Sequence, residues 1–425
     1  MPTLRRRFRS IALVEQLGPG LITGAADDDP SGIATYSQAG AKFGLGLIWT
    51  LLLTYPLMSA IQLVSAHIGR VTGAGLARNL GEVLPRPVVT GLVSLLFVAN
   101  TVNIGADLAA MGEAAALVVG RGQHVFTLVF AALSLTLQLF MPYRRYARIL
   151  KWLTMVLFAY VAVAFMVELD WGEVAKALVW SSAPLTRDAV VMIVAIFGTT
   201  ISPYLFFWQA AQEVEEIDQK PSRKPLSEAP SQARKAFRRI RLDTFFGMAV
   251  SNLIALAIML STAATLNATG VTQIQTAADA ANALKPVAGP FAFGLFALGI
   301  VGTGMLAVPV LAGSAAYAVG ETRGWTCGLE HKPWEAVGFY AVIGAATALG
   351  LAIDWSPLDP IQALVWSAVI NGVIAVPMMG ALMYVASRHE RMGPFTANLP
   401  LKTFGWLATA VMAAAVVAMA VTAGG

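Results

Sequence analysis

Three consecutive aspartates, Asp27, Asp28 and Asp29, run directly into Pro30-Ser31-Gly32 in the middle of a hydrophobic segment covering roughly residues 14–47. A charged side chain at the centre of a bilayer costs roughly 2.5–3.5 kcal/mol on insertion scales, so each carboxylate there needs compensation. The other hydrophobic stretches contribute only Asp107 and Glu113, both acidic, and no Lys or Arg lies well inside any of them. Buried acids without an internal cation imply a cation that comes from outside. The pattern therefore points to a site that binds, and moves, a positive ion.

The backbone must help these groups converge. On a continuous helix the three aspartates would project about 100° apart and could not share a face. Pro30 removes a backbone donor and clashes with the preceding turn, while Gly32 tolerates irregular backbone. Unwinding here would free carbonyls and bring more than one carboxylate together. The alternative is a kinked helix whose backbone satisfies the aspartates. A second interruption is expected in Gly198-Thr199-Thr200-Ile201-Ser202-Pro203-Tyr204. Alone it reads as an ordinary kink in which hydroxyls satisfy the freed carbonyls. Beyond it, Ser202, Phe206, Gln209 and Glu213 follow helical spacing as a polar edge. Asn100, Asn103 and Asp107 likewise fall at i, i+3 and i+7. Amides and a carboxylate are costly in lipid, so that stripe reads as a water-lined path.

Hydrophobic residues make up 57% of the 425 and charged residues 12%, against about 25% charged in soluble domains. The expected class is an all-α, polytopic membrane protein. Apolar windows of spanning length, about 17–25 residues, fall at 14–42, 46–69, 87–119, 123–141, 150–168, 189–213, 242–266, 287–320, 334–353, 360–386 and 403–423, which makes eleven. With the N-terminus inside, only Lys42, Arg121, Lys176, Arg187 and Lys285 of the 29 basic residues fall in external segments. That partition obeys the positive-inside rule and leaves the C-terminus outside.

The basic segment 214–241 divides six spans (14–213) from five (242–423) within a single transmembrane domain covering residues 1–425. It reads as a solvated cytoplasmic loop, with Arg234 to Arg241 as a topogenic anchor. The net charge of +5 follows these loops, so no nucleic-acid partner is expected. The lone Cys327 excludes an intramolecular disulfide and a cysteine metal site, and no cleavable signal follows the basic N-terminus. Breaks in the first and sixth spans are corresponding positions if spans 1–5 and 6–10 form inverted repeats. Such paired breaks point to a transporter site at the bilayer midplane.

Here the chain resembles a known family. Gly18-Pro19-Gly20 followed by Asp29-Pro30 is similar to the first helix of Nramp divalent-metal transporters, whose motif is Asp-Pro-Gly-Asn. Gly198 to Tyr204 resembles their Gly-Ala-Thr-Val-Met-Pro-His, and Ala106 to Ala110 their Thr-Asp-Leu-Ala-Glu. Four positions depart from the family: Gly32 stands at the Asn, Ser202 at the Met, Tyr204 at the His and Ala110 at the Glu. The last two belong to the family's proton route. Asp-Asp-Asp-Pro-Ser-Gly, with Ile201 to Gln209, is most similar to the Nramp-related magnesium transporter branch. The resemblance implies a LeuT-like fold with broken helices 1 and 6, plus an eleventh span, and uncoupled transport of Mg²⁺ with Mn²⁺ also accepted.

With that resemblance, Asp29 is expected as the principal ligand and Asp28 as the second charge, with the carbonyls of Ala26 and Thr199 carried over as backbone ligands. Ser202 supplies oxygen where the family has sulfur. Carboxylates, carbonyls and water suit Mg²⁺ and Mn²⁺, and Mg²⁺ usually keeps several waters. Asp27 is assigned to the ion path, beside Gly32, Asn103 and Tyr204. Asp107 and Glu113 would tune the field, Glu113 alternatively making a capped polar contact between helices. Gln209 and Asn371 are candidates for water-mediated contacts. The partners expected are the lipid bilayer and the transported ion, and no cofactor is expected. Rival readings are a proton-coupled Mn²⁺/Fe²⁺ importer of the main family type and an amine or amino-acid transporter on the same scaffold. An intramembrane aspartyl hydrolase pairing Asp107 with one of the triplet is the enzyme alternative.

Overall fold

Long apolar windows, interrupted where proline and glycine cluster, fold into helices packed side by side. The computed structural model describes residues 23–24, 26–141, 155–180, 184–219, 222–355 and 359–423; Gly18-Pro19-Gly20 lies outside them. Among the described residues there are helices, turns and loops but no strand.

The principal helices are α1 (Pro30–Phe43), α2 (Trp49–Thr72), α3 (Leu76–Gly81), α4 (Arg86–Val119) and α5 (Gln123–Phe140). They continue with α6 (Phe158–Met166), α7 (Trp171–Val179), α8 (Arg187–Thr200), α9 (Pro203–Asp218) and α10 (Ala233–Thr265). The series ends with α11 (Ala277–Ala281), α12 (Ala292–Arg323), α13 (Val337–Leu351), α14 (Pro360–Ser387) and α15 (Leu399–Ala423).

Among the described residues, eight helical segments are long and apolar enough to cross a membrane, or nine if the pair bent by 117° between α6 and α7 is one span. The expectation of eleven is not established by helix length, for three local reasons. Residues 14–22 are outside the described set, leaving α1 with 14 residues. In the fifth window only residues from 155 onward are described, and α6 stops at Met166. The ninth window yields α13, of 15 residues.

The segment 214–241, expected as a solvated loop, is partly helical, with most of its described basic side chains exposed. Helix α9 runs on to Asp218 and α10 starts at Ala233. Between them, the N–H groups of Leu226 and Ser227 donate to the carbonyls of Arg70 and Val71 at the end of α2, at 3.2 and 3.1 Å. Arg239, expected within a topogenic anchor, pairs with Glu213 and, at 3.3 Å, with Glu216 on α9. Opposite charges at this depth are held against each other rather than in water.

Small residues let the broken helices approach their neighbours. Helix α1 packs on α10 and α14, and α8 lies against α14. At the crossing of α8 and α14, a Cβ on Gly198 would stand 2.0 Å from the carbonyl oxygen of Ala368 and 2.5 Å from the nitrogen of Gly372. Close backbone approach through small residues is how helices associate without a hydrophobic driving force. Gly198→Ala should therefore force α8 and α14 apart, costing about 1–3 kcal/mol as overpacking does. The expected result is a clearly lowered unfolding temperature of the detergent-purified variant. Gly344→Ala, with nothing within 4 Å of its added Cβ, should leave that temperature unchanged.

Candidate functional site

The first break falls where Pro30 requires it. Residues 26 and 27 are helical, Asp28 bends, and Asp29 is extended at φ −73°, ψ 171°. Asp29 is the N-cap of α1, its Oδ1 accepting from the Gly32 N–H at 2.7 Å, with Pro30 as first helical residue. A carboxylate N-cap followed by proline is a strong helix start.

The other oxygen of Asp29 faces α4 and α9. Its Oδ2 is 3.3 Å from Asn103 Nδ2 and 3.3 Å from Tyr204 Oη. Ser367 on α14 donates to Asn103 Oδ1 at 2.7 Å, which turns the amide nitrogen toward Asp29. Tyr204 Oη also lies 3.0 Å from the Ala26 carbonyl. A phenol has one proton, so it serves the carboxylate or the carbonyl, not both at once.

Asp27 and Asp28 turn another way, toward α10. Ser251 Oγ is 2.6 Å from Asp27 Oδ2 and 3.0 Å from Asp28 Oδ1. The structure thus divides the triplet, Asp29 among Asn103 and Tyr204, its two predecessors around Ser251. All three, and Asp107, are at most 3% exposed. Among the described residues no Lys or Arg forms an ion pair with any of them.

The second break lies at Ile201 (φ −118°, ψ 57°) and Ser202 (φ −77°, ψ 132°), with Pro203 opening α9. Ser202 Oγ turns back to its own chain, 2.7 Å from the Gly198 carbonyl oxygen and 2.9 Å from that of Thr199, with one proton for the two. Both expected backbone ligands, Ala26 and Thr199, are therefore reached by a hydroxyl. Each carbonyl oxygen keeps a second lone pair. Gly32 sits beside the second break, where an added Cβ would be 3.2 Å from Thr199 Oγ1 and 3.4 Å from the Asp27 carbonyl oxygen.

The remaining expected residues separate into near and far. Asp107 lies one helical turn beyond Asn103. The backbone N–H of Ser31 points toward both Asp29 and Asp107, and neither Asp107 oxygen has a partner of hydrogen-bond geometry. Asn371 is buried on α14, one turn beyond Ser367. Gln209 Oε1 accepts from Thr23 Oγ1 at 2.7 Å, tying the segments flanking the two breaks. Glu113 stands apart from the triplet, its Oε1 accepting from the Ala277 N–H at 2.8 Å at the start of α11. That is the helix-to-helix contact weighed as its alternative.

Sequence reasoning missed Ser251, Tyr36 and Ser367. Tyr36, 1% exposed, lies in the field of Asp27 first, then Asp28 and Asp29, with the Thr199 hydroxyl beside its own. Among the described residues, no three His, Cys, Asp or Glu side chains are arranged to hold a metal ion. What the breaks present is carboxylate, amide, hydroxyl and carbonyl oxygen, a set for a hard cation that keeps part of its water.

A helical membrane protein with two broken helices meeting at buried carboxylates is a transporter in its architecture. The model of the family described as "Natural resistance-associated macrophage protein-like" (Nramp) matches residues 20–422, and the chain belongs to that family, whose members are metal transporters and not enzymes. A divalent metal cation transporter, MntH, of Burkholderia ambifaria is 27% identical over 419 residues, covering 96% of this chain and 88% of that one. The MntH of Chromohalobacter salexigens is 30% identical over 292 residues, 68% of this chain and 65% of that one. In structure, the Eremococcus coleocola manganese transporter superposes with a TM-score of 0.75 at 17% identity, covering 96% of this chain and 86% of that one. Mhp1, a nucleobase-cation-symport-1 family transporter in a closed conformation, gives 0.58 at 13% identity, covering 96% and 92%. The last two show the fold, which is LeuT-like as expected.

Proposed function

We propose that this chain carries partly hydrated Mg²⁺, and also Mn²⁺, across the membrane by alternating access, passively and without moving protons. Asp29 is the principal ligand, directly or through water, with Asp28 as second charge. The carbonyls of Ala26 and Thr199 and the hydroxyl of Ser202 complete an oxygen donor set. Asp27, Gly32, Asn103, Asp107, Tyr204, Gln209 and Asn371 line the ion path or hold its water, with Glu113 at its margin. The chain crosses the membrane eleven times, with its N-terminus cytoplasmic and its C-terminus external.

The observation that carries the reading is the second break. Ser202, whose hydroxyl lies against the Gly198 and Thr199 carbonyls, stands where the family has a thioether. Oxygen donors do not favour the thiophilic metals that sulfur selects. Proton uncoupling is supported by Tyr204 and Ala110, since a phenol does not titrate near neutrality as a histidine does and alanine carries no proton. The relatives are named for divalent metal cations, and one fold neighbour for manganese.

The second reading, a proton-coupled Mn²⁺/Fe²⁺ importer of the main type, is favoured by Asp107. Its buried and unpartnered oxygens lie one turn from Asn103, which reaches Asp29. Uptake of Mg²⁺ and Mn²⁺ into proteoliposomes with internal pH monitored separates the two. The expected result is metal entry that follows the metal gradient and membrane potential without internal acidification. Acidification that scales with Mn²⁺ uptake would return the protein to the second reading.

A further inference from the structure

Arg234, Lys235, Arg238, Arg239 and Arg241 crowd the start of α10, and no acid stands between Ala233 and Leu242. Arg239 turns inward to Glu213 and Glu216 on α9. The other four are exposed, and among the described residues none of them forms an ion pair. The helix gains nothing from this row. Like charges three and four residues apart repel, as Arg234, Arg238 and Arg241 do, and cations in a first turn oppose the helix dipole. An anion outside the helix would relieve both.

Spacing and depth say which anion. Arg234, Arg238, Arg241 and Phe245 recur at i, i+4, i+7 and i+11, one stripe of a 3.6-residue helix. Lys235, Leu242, Phe246 and Leu253 form the neighbouring stripe at i, i+7, i+11 and i+18. Leu242, Phe245, Phe246 and Leu253 are all exposed. Both stripes therefore change from basic to apolar at one level, between Arg241 and Leu242. From Leu242 to the end of α10 at Thr265 the helix rises about 36 Å, enough to cross a hydrocarbon core of about 30 Å. Hydrocarbon then begins near Leu242. The four free basic side chains stand within about 12 Å of that edge, in and just above the headgroup layer.

We infer that this face of α10 binds anionic phospholipid, with headgroup phosphates on Arg234, Lys235, Arg238 and Arg241 and acyl chains along Leu242, Phe245 and Phe246. Charge complementarity selects the occupant. Four cations within about two turns at the membrane surface attract anionic headgroups, and the exposed aromatics below them match the tails that a soluble anion lacks. A topogenic anchor accounts for the charge but not for its alignment over an apolar continuation of the same stripe. The lipid would lie against a helix that also reaches the site, since α10 carries Ser251 beside Asp27 and Asp28 and Arg239 beside α9. The inference goes beyond the proposed function, because it requires only that α10 crosses the membrane, whichever ion is carried.

The test is native mass spectrometry of the full-length protein released from nanodiscs of equal parts phosphatidylglycerol and phosphatidylcholine, counting the lipids retained. Each Lys or Arg near a surface is worth about fivefold in affinity for anionic lipid, so a headgroup that reaches two of them should be preferred by about twentyfold. Arg234→Gln, Arg238→Gln and Arg241→Gln together should lower that preference by about tenfold. Arg238→Gln alone, at the centre of the row, should lower it about fivefold and carries the test should the triple variant fail to fold. Removing three exposed charges elsewhere, with Arg86→Gln, Arg323→Gln and Lys332→Gln, should leave it unchanged. Glycerol phosphate should not displace the lipid. Equal retention of the two lipids by the wild type overturns the site, as does a triple variant that retains them as the wild type does. A control triple that loses as much preference reduces the effect to net charge and overturns it too. Displacement by glycerol phosphate would assign the row to a free anion, and dimers that only the α10 variant dissociates would assign it to a second copy of the chain; either result removes the lipid.

Discussion

Asp29→Ala should abolish divalent uptake while the protein still reaches the membrane. The residue has two tasks, and they differ in size. As N-cap of α1 it satisfies the Gly32 N–H, and losing such a cap costs about 1 kcal/mol, which a packed membrane domain withstands. As the carboxylate facing Asn103 and Tyr204 it supplies the charge that an ion needs there. Removing one partner of a buried charge pair costs about 3–5 kcal/mol, roughly two to three and a half orders of magnitude in affinity. Asp29→Asn separates the two tasks, because an amide oxygen still caps the helix while the charge is gone. Uptake should be lost in both variants, and the unfolding temperature should drop only in the alanine one. Mg²⁺ uptake at wild-type level by Asp29→Ala, at equal expression, would remove Asp29 from the ion.

What the sequence made legible was set by local chemistry. Proline has no N–H and forbids the preceding turn, so both breaks could be placed, and the structure has them at Asp28–Asp29 and Ile201–Ser202. The stripe from Asn100 to Asp107 follows from helical spacing, and Asn103 does reach Asp29. What was not legible depends on which helices meet. Ser251 is one small polar residue on a long apolar helix, and only the packing of α10 on α1 gives it two carboxylates. Glu113 shows the converse. Its type allowed either a place near the ion or a contact between helices, and only the fold of α11 onto it shows its oxygen accepting from the Ala277 N–H. At 214–241 most described basic side chains are exposed, and what charge alone could not show is that Arg239 meets Glu213 and Glu216 across the gap. The span count suffered from a third cause. Hydropathy windows see composition but not a 117° bend, and the chain turns between α6 and α7 at the edge of the fifth window.

Ser202→Met combined with Gly32→Asn should turn the site toward softer metals. The first change withdraws the hydroxyl from the Gly198 and Thr199 carbonyls and introduces a thioether, which thiophilic ions prefer. The second brings an amide to a place where its Cβ stands 3.2 Å from Thr199 Oγ1, a side-chain oxygen that can rotate aside. Both substitutions also fill space that retained water would use, and Mg²⁺ sheds water reluctantly. Mg²⁺ uptake should fall by about tenfold, roughly 1.4 kcal/mol, while competition by Cd²⁺ against Mn²⁺ should rise by a similar factor. Two single variants identify the cause. Ser202→Ala removes the hydroxyl without adding sulfur, so it should weaken Mg²⁺ uptake and gain no sensitivity to Cd²⁺. Gly32→Ala adds the same Cβ without the amide and measures crowding by itself. If the double variant moves Mg²⁺ as the wild type does and Cd²⁺ competes no better, then the donor atoms at the breaks do not set selectivity. Ion preference would then reside in the path that leads to them, with Asp107 and Asn371 the next residues to vary.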